Sequence, residues 1–164
     1  MNHLFLRLLD VMRLRAGPQD MPAGWGFAIL FSLLYLSEGF VADQILDETD
    51  SAPRGLVAVS IQFLVTFLLL GFRRLSARLP QTLTTLAGTG VLFGALSIIL
   101  IMQARPGVAQ PGLALVWFGA FLWSLAVDAH IYRHAMSITM SLGVLVAVVI
   151  FALNFIANEM MFTT

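Results

Sequence analysis

The sequence predicts an all-α fold, a polytopic membrane helical bundle of about five transmembrane helices preceded by a short amphipathic interfacial helix. Three observations carry that prediction. Of 164 residues, 59% are hydrophobic and 11% charged, with a mean hydropathy of +0.91, whereas a soluble domain carries roughly 25% charged residues. Five apolar stretches are each long enough, at about 1.5 Å per residue, to cross a hydrocarbon core of about 30 Å. The arginines between those stretches segregate to alternate connections.

Residues 1–16 form the predicted interfacial helix. Leu4, Phe5, Leu8, Leu9 and Met12 fall on one side, with Val11 beside them, and Arg7, Asp10, Arg13 and Arg15 flank the stripe. A helix docked on the protein's own cytosolic face would share the pattern. The same charges interrupt the apolar run, so no cleavable signal is expected. Gly17-Pro18-Gln19-Asp20-Met21-Pro22 then breaks the helix, with Asp20 a candidate cap for the first span.

The spans are predicted at Trp25–Gln44, Gly55–Phe72, Thr82–Gln103, Leu113–Tyr132 and Ser137–Ile156. Their connections are an acidic one at Asp47, Glu48 and Asp50, an arginine-rich one at Arg73, Arg74 and Arg78, a Pro/Gly one from Arg105 to Pro111, and a tight one near Arg133. None holds a soluble domain, so residues 1–164 read as one membrane domain. Five spans put Arg7, Arg13, Arg15, Arg73, Arg74, Arg78 and Arg133 on one side and only Arg54 and Arg105 on the other. Cytosolic loops carry the excess of positive charge. The expected topology is therefore a multi-pass protein of the cell inner membrane, with a cytoplasmic N-terminus and a periplasmic C-terminus.

Composition also excludes function classes. There is no lysine and no net charge, so a nucleic-acid partner lacks the basic patch that phosphates require. The absence of cysteine removes disulfides, thiolate metal sites and cysteine nucleophiles. Ser32, Ser37, Ser60 and Ser124 have no Gly-x-Ser-x-Gly context. No enzymatic activity and no cofactor is expected.

Few polar groups stand in or near the spans. Glu38 interrupts the first, where an ionised carboxylate near the bilayer centre costs about 2.5–3.5 kcal/mol. It reads either as a protonatable group on a solute path or as a carboxyl hydrated near the outer boundary. Asp128, His130, Arg133 and His134 close the fourth span. The two histidines are one turn apart and could share a metal, but a zinc site needs further ligands, and Asp128 points to a different helix face. No metal is expected; an interfacial polar cap, with Asp128 paired to Arg133 or to a loop arginine, accounts for the run. Gly90 and Gly94 have the spacing that lets membrane helices approach closely, with threonines able to bond across the contact and Ala120 and Ser124 of the fourth span as a matching small face.

Three stretches, Gly17 to Pro22, Gln81 to Gly90 and Trp123 to Ala135, together resemble a group of small uncharacterised inner-membrane proteins of proteobacteria, distantly similar to the Yip (Ypt-interacting protein) family. The resemblance spans nearly the whole chain and implies five spans with a cytosolic N-terminus. It brings no catalytic residue. Eukaryotic members are implied in vesicle traffic with small GTPases through a long cytosolic region that these 164 residues do not match. The function expected is a non-enzymatic scaffold, assembly or membrane-organising role whose partners are the lipid bilayer and other membrane proteins or further copies of itself. One alternative is a small transporter or channel subunit using Glu38, with Ser37, Thr66 and Asn154 converging on its cavity. The other is a membrane enzyme or metal site at Asp128, His130 and His134.

Overall fold

Within lipid a backbone N–H or C=O finds no water, so a spanning segment must satisfy its own hydrogen bonds, and the helix is the structure that does so within one segment. The computed structural model describes residues 2–46, 51–105 and 107–162. It consists of α1 (Asn2–Met12), α2 (Trp25–Leu46), α3 (Ser51–Phe72), α4 (Leu79–Ile101), α5 (Pro111–Met136) and α6 (Met140–Phe162), with single 3₁₀ turns at Pro18–Asp20 and Ser76–Arg78. All five helices from α2 to α6 are long and apolar enough to cross a membrane. The protein is an all-helical, multi-pass membrane bundle.

The helices outrun the apolar stretches that announce them. Helix α3 begins before Gly55 because Pro53 sits in its first turn, where the missing N–H is no loss. Helix α4 begins before Thr82 with Pro80 in the same role and stops at Ile101, short of Gln103. Helix α5 runs past Tyr132 to Met136 and ends at Ser137, whose φ of 54° is left-handed. Helix α6 starts at Met140, after the tight connection, and continues beyond Ile156 to Phe162. The acidic connection at Asp47, Glu48 and Asp50 lies outside the described residues.

The five long helices form a ring. Neighbours in contact follow the order α2, α3, α6, α5, α4 and back to α2. Helix α4 is its most enclosed member: from Leu79 to Thr89 every residue but Gln81 is buried. Its threonines do not bond across to another helix. Thr82, Thr84, Thr85 and Thr89 donate to the carbonyls of Arg78, Pro80, Gln81 and Thr85, one turn back, at 2.6–2.9 Å, because a buried hydroxyl is satisfied most locally that way.

Gly90 and Gly94 do mark a close approach, but to α2 rather than to Ala120 and Ser124 of α5. A Cβ on Gly90 would press on the Tyr35 ring, and one on Gly94 would overlap the Glu38 carboxylate. Large α2 side chains fill the space that small α4 residues leave.

One end of the ring is covered. Helix α1 and the Pro18–Asp20 turn lie against α4 and α5, with Leu8 2% and Val11 0% exposed, whereas Phe5 and Leu6 are 51% and 54% exposed on the other face. Leu8 seats on Gly88, where a Cβ would stand 2.7 Å from a Leu8 methyl carbon. The helix is therefore docked on the protein. Asp20 does not cap α2; its carboxylate accepts from the Gly17 N–H at 2.9 Å. At the same end, Arg73 donates to the Met136 carbonyl at 3.2 Å, and Arg78 to the Ala135 carbonyl and Ser137 Oγ, both at 3.0 Å. These guanidinium groups satisfy the last carbonyls of α5 and oppose its negative dipole end.

Candidate functional site

The ring encloses polar space. A cavity of about 230 Å³ lies between α2, α3, α4 and α5, lined by Tyr35, Gln62, Phe63, Thr89, Phe93, Ser97, Ser124 and Asp128 among others. A second, of about 190 Å³, shares Tyr35, Gln62, Ser124 and Asp128 with the first and adds Phe121, Tyr132, Phe151 and Asn154. A third, of about 200 Å³, shares Tyr35, Gly94 and Ser97 with the first. It adds Glu38 and reaches Gly55 and Ile101, toward the end of the ring opposite α1. Every spanning helix contributes a wall.

Asp128 occupies the junction of the first two cavities. It lies eight residues before the end of α5, roughly 12 Å along the helix from its Met136 end at 1.5 Å per residue. No arginine lies within ion-pairing distance of it among the described residues. The pairing expected for Asp128 fails because α5 continues a full turn further, which carries Arg133 out to an exposed position at the bundle end. Two helices away on the ring, Tyr35 stands within electrostatic reach of both Asp128 and Glu38.

Glu38 is thirteen residues into α2, roughly 20 Å from its Trp25 end. It packs against Gly94, and its Oε2 is buried with no hydrogen-bond partner among the described residues. Asn154 lies at a similar depth on α6. Its amide donates to the Ile150 carbonyl at 3.0 Å while its Oδ1 is buried without a partner. Buried polar atoms are satisfied in the great majority of cases, so an orphan acceptor beside a cavity is a feature to be explained.

Toward α1 the polar space closes. Tyr132 and Thr66, each 1% exposed, share a hydrogen bond of 3.1 Å from α5 to α3. Two residues earlier on α5, His130 is buried with Nε2 3.0 Å from the Ala16 carbonyl, and Leu8 and Val11 of α1 are buried at the same end.

Of the residues singled out from sequence, Glu38 and Asp128 line connected cavities, with Asn154 on a wall and Thr66 in the floor. Ser37 turns away and donates to the Leu34 carbonyl at 2.7 Å. His130 and His134 meet edge to face with ring centroids 4.4 Å apart. Among the described residues no three His, Cys, Asp or Glu side chains are grouped so as to hold a metal ion. His134 faces a separate cavity of about 210 Å³ with Arg78, Gln81 and Ser137, under the α1 end. Sequence reasoning missed Tyr35 and Gln62, although Gln62 is the sole amide in α3 and Tyr35 the sole phenol in α2. No protein-family model, curated protein or solved structure matches this chain.

Proposed function

We propose that the protein is a small membrane carrier that binds a polar solute in the cavity its five spans enclose. Asp128 is the contacting charged group, and Glu38 lies on the route to the end opposite α1. The observation that carries the reading is Asp128 itself: a carboxyl deep in a spanning helix, without an arginine partner, lining two joined cavities with Gln62, Ser124 and Tyr35. Intramembrane ionisable groups are costly and mark solute or ion pathways. The scaffold reading rested on polar groups dispersed along the sequence, and their gathering around one interior favours the carrier instead.

The bond between Tyr132 and Thr66, backed by α1, forms the closed gate of such a carrier. The chain sits in the cell inner membrane with the α1 end in the cytosol, the side favoured by its seven arginines. The surrounding partner is lipid, which the many exposed leucine, valine and phenylalanine side chains of the outer faces suit.

The test is flux. The full chain is reconstituted in phosphatidylethanolamine–phosphatidylglycerol liposomes and offered radiolabelled small amines, carboxylates and polyols. At least one class should equilibrate tenfold or more faster than in protein-free liposomes, and Asp128→Asn should remove most of that excess. Flux equal to empty liposomes for every class, from protein that elutes as a single folded species, overturns the carrier and returns the scaffold.

A further inference from the structure

The three joined cavities contain carboxyl, hydroxyl, amide and aromatic groups but no arginine, lysine or histidine. The chain has nine arginines, no lysine and three histidines, and none of them lines these cavities. A ligand held there meets the Asp128 carboxyl with no protein cation beside it, and a bound cation would hold that carboxyl in its ionised form. An anionic solute would meet like charge in a poorly hydrated space, where electrostatic effects are strongest.

A second observation points the same way independently of charge. Among the described residues, the buried side-chain polar atoms without partners are Glu38 Oε2, Asn154 Oδ1 and Asn158 Oδ1. All three are acceptors, and two of them border the cavities. A ligand that supplied only acceptors would leave them unsatisfied; one that carried a hydroxyl or N–H donor would not. The walls between these oxygens are aromatic: Tyr35, Phe63 and Phe93 around the first cavity, and Phe121 and Phe151, with ring centroids 5.0 Å apart, around its neighbour. Ring faces attract cations and alkyl substituents alike. The volume of about 230 Å³ falls below the roughly 300–1,000 Å³ of sites for drug-sized ligands.

We propose that the ligand of this cavity is a small organic cation, an alkylammonium bound with its charge against Asp128 and its carbon substituents against the Tyr35, Phe63 and Phe93 rings. This names the substrate class of the carrier proposed above and rests on that reading for its transport role, whereas the binding itself can be measured without it.

The experiment compares two probes of nearly one shape, choline and its uncharged analogue 3,3-dimethylbutan-1-ol, by calorimetric titration of the purified full chain in detergent, with acetate as the anion. Choline should bind, the neutral analogue at least tenfold more weakly, and acetate not measurably; Asp128→Asn should abolish the preference for choline over the neutral analogue. Equal affinity for the two isosteres, retention of the preference in Asp128→Asn, absence of choline binding, or binding of acetate in its place overturns the cation assignment. Should Asp128→Asn not fold, the isostere comparison in the parent decides alone. The two readings fail separately. Charge-selective binding without flux in liposomes removes the carrier and leaves the cation site. Asp128-dependent flux of a carboxylate or polyol keeps the carrier and removes the cation.

Discussion

Gly143 has no room for a side chain. A Cβ there would run into the Ala129 carbonyl oxygen, where α6 crosses α5, and that atom belongs to helix backbone that cannot rotate aside. Gly119, on the outer face of α5, meets nothing within 4 Å. Replacing a mid-helix glycine by alanine recovers up to about 1 kcal/mol of helix propensity where space allows, while forced overpacking costs about 1–3 kcal/mol. Gly143→Ala should thus lower the midpoint of unfolding in an SDS–dodecylmaltoside titration followed by circular dichroism, and Gly119→Ala should leave it unchanged or raise it. Equal shifts would mean that the crossing is looser than the packing of Gly143 on Ala129 implies. Gly94 is an intermediate case, since the obstacle is the far end of the Glu38 side chain, which can swing away. At this scale the sequence exposes what is chemically odd and hides what is geometrically odd. Glu38 was legible because a carboxylate stands out in an apolar run. Gln62 and Tyr35 were not, because a single amide or phenol in a span is unremarkable until its neighbours are known. The roles of Gly143 and Gly88 depend on partners more than ten residues away in sequence, which no local spacing encodes.

Helix α1 shows how far a pattern can be read at the level of an element. Its apolar stripe was visible, but a stripe reports only that one face avoids water, and lipid and protein satisfy it equally well. The structure divides the stripe: Leu8 and Val11 face α4 and α5, while Phe5 and Leu6 face outward. Removing a buried leucine's methyl groups leaves a cavity and costs about 2–5 kcal/mol where the surroundings cannot collapse. Leu8→Ala should therefore destabilise the bundle, and Leu6→Ala should not, in the same detergent titration. A helix held by the interface alone would give no difference between the two. The spans themselves were legible because lipid admits few alternatives to a helix of this length. Their ends were not, since polar terminal turns keep their hydrogen bonds beyond the apolar stretch, as α5 does from Arg133 to Met136.

For the whole molecule, the ring order α2, α3, α6, α5, α4 could not be read from sequence, because helices that are apolar toward lipid and also toward one another carry no stripe that says which face looks inward. The interior cavity was hidden for the same reason. Which end of the ring faces which compartment rests on a different asymmetry. The structure puts α1, the 3₁₀ turn at Ser76–Arg78 and the α5–α6 connection together at one end, with Arg54 and Arg105 at the other. Short loops rich in arginine stay in the cytosol, and the cavity that holds Glu38 reaches toward the opposite end. Alkaline phosphatase folds to an active enzyme only outside the cytosol. Inserted after Gly107 it should therefore be active, and inserted after Ala77 inactive, with a fluorescent reporter giving the reverse pattern. If the activities are exchanged, the cavity opens to the cytosol, and a solute reaching Asp128 from outside must first pass α1 and the bond between Tyr132 and Thr66. If they are as expected, the solute enters past Glu38 from the periplasmic side, and those same groups are what must part to release it inward.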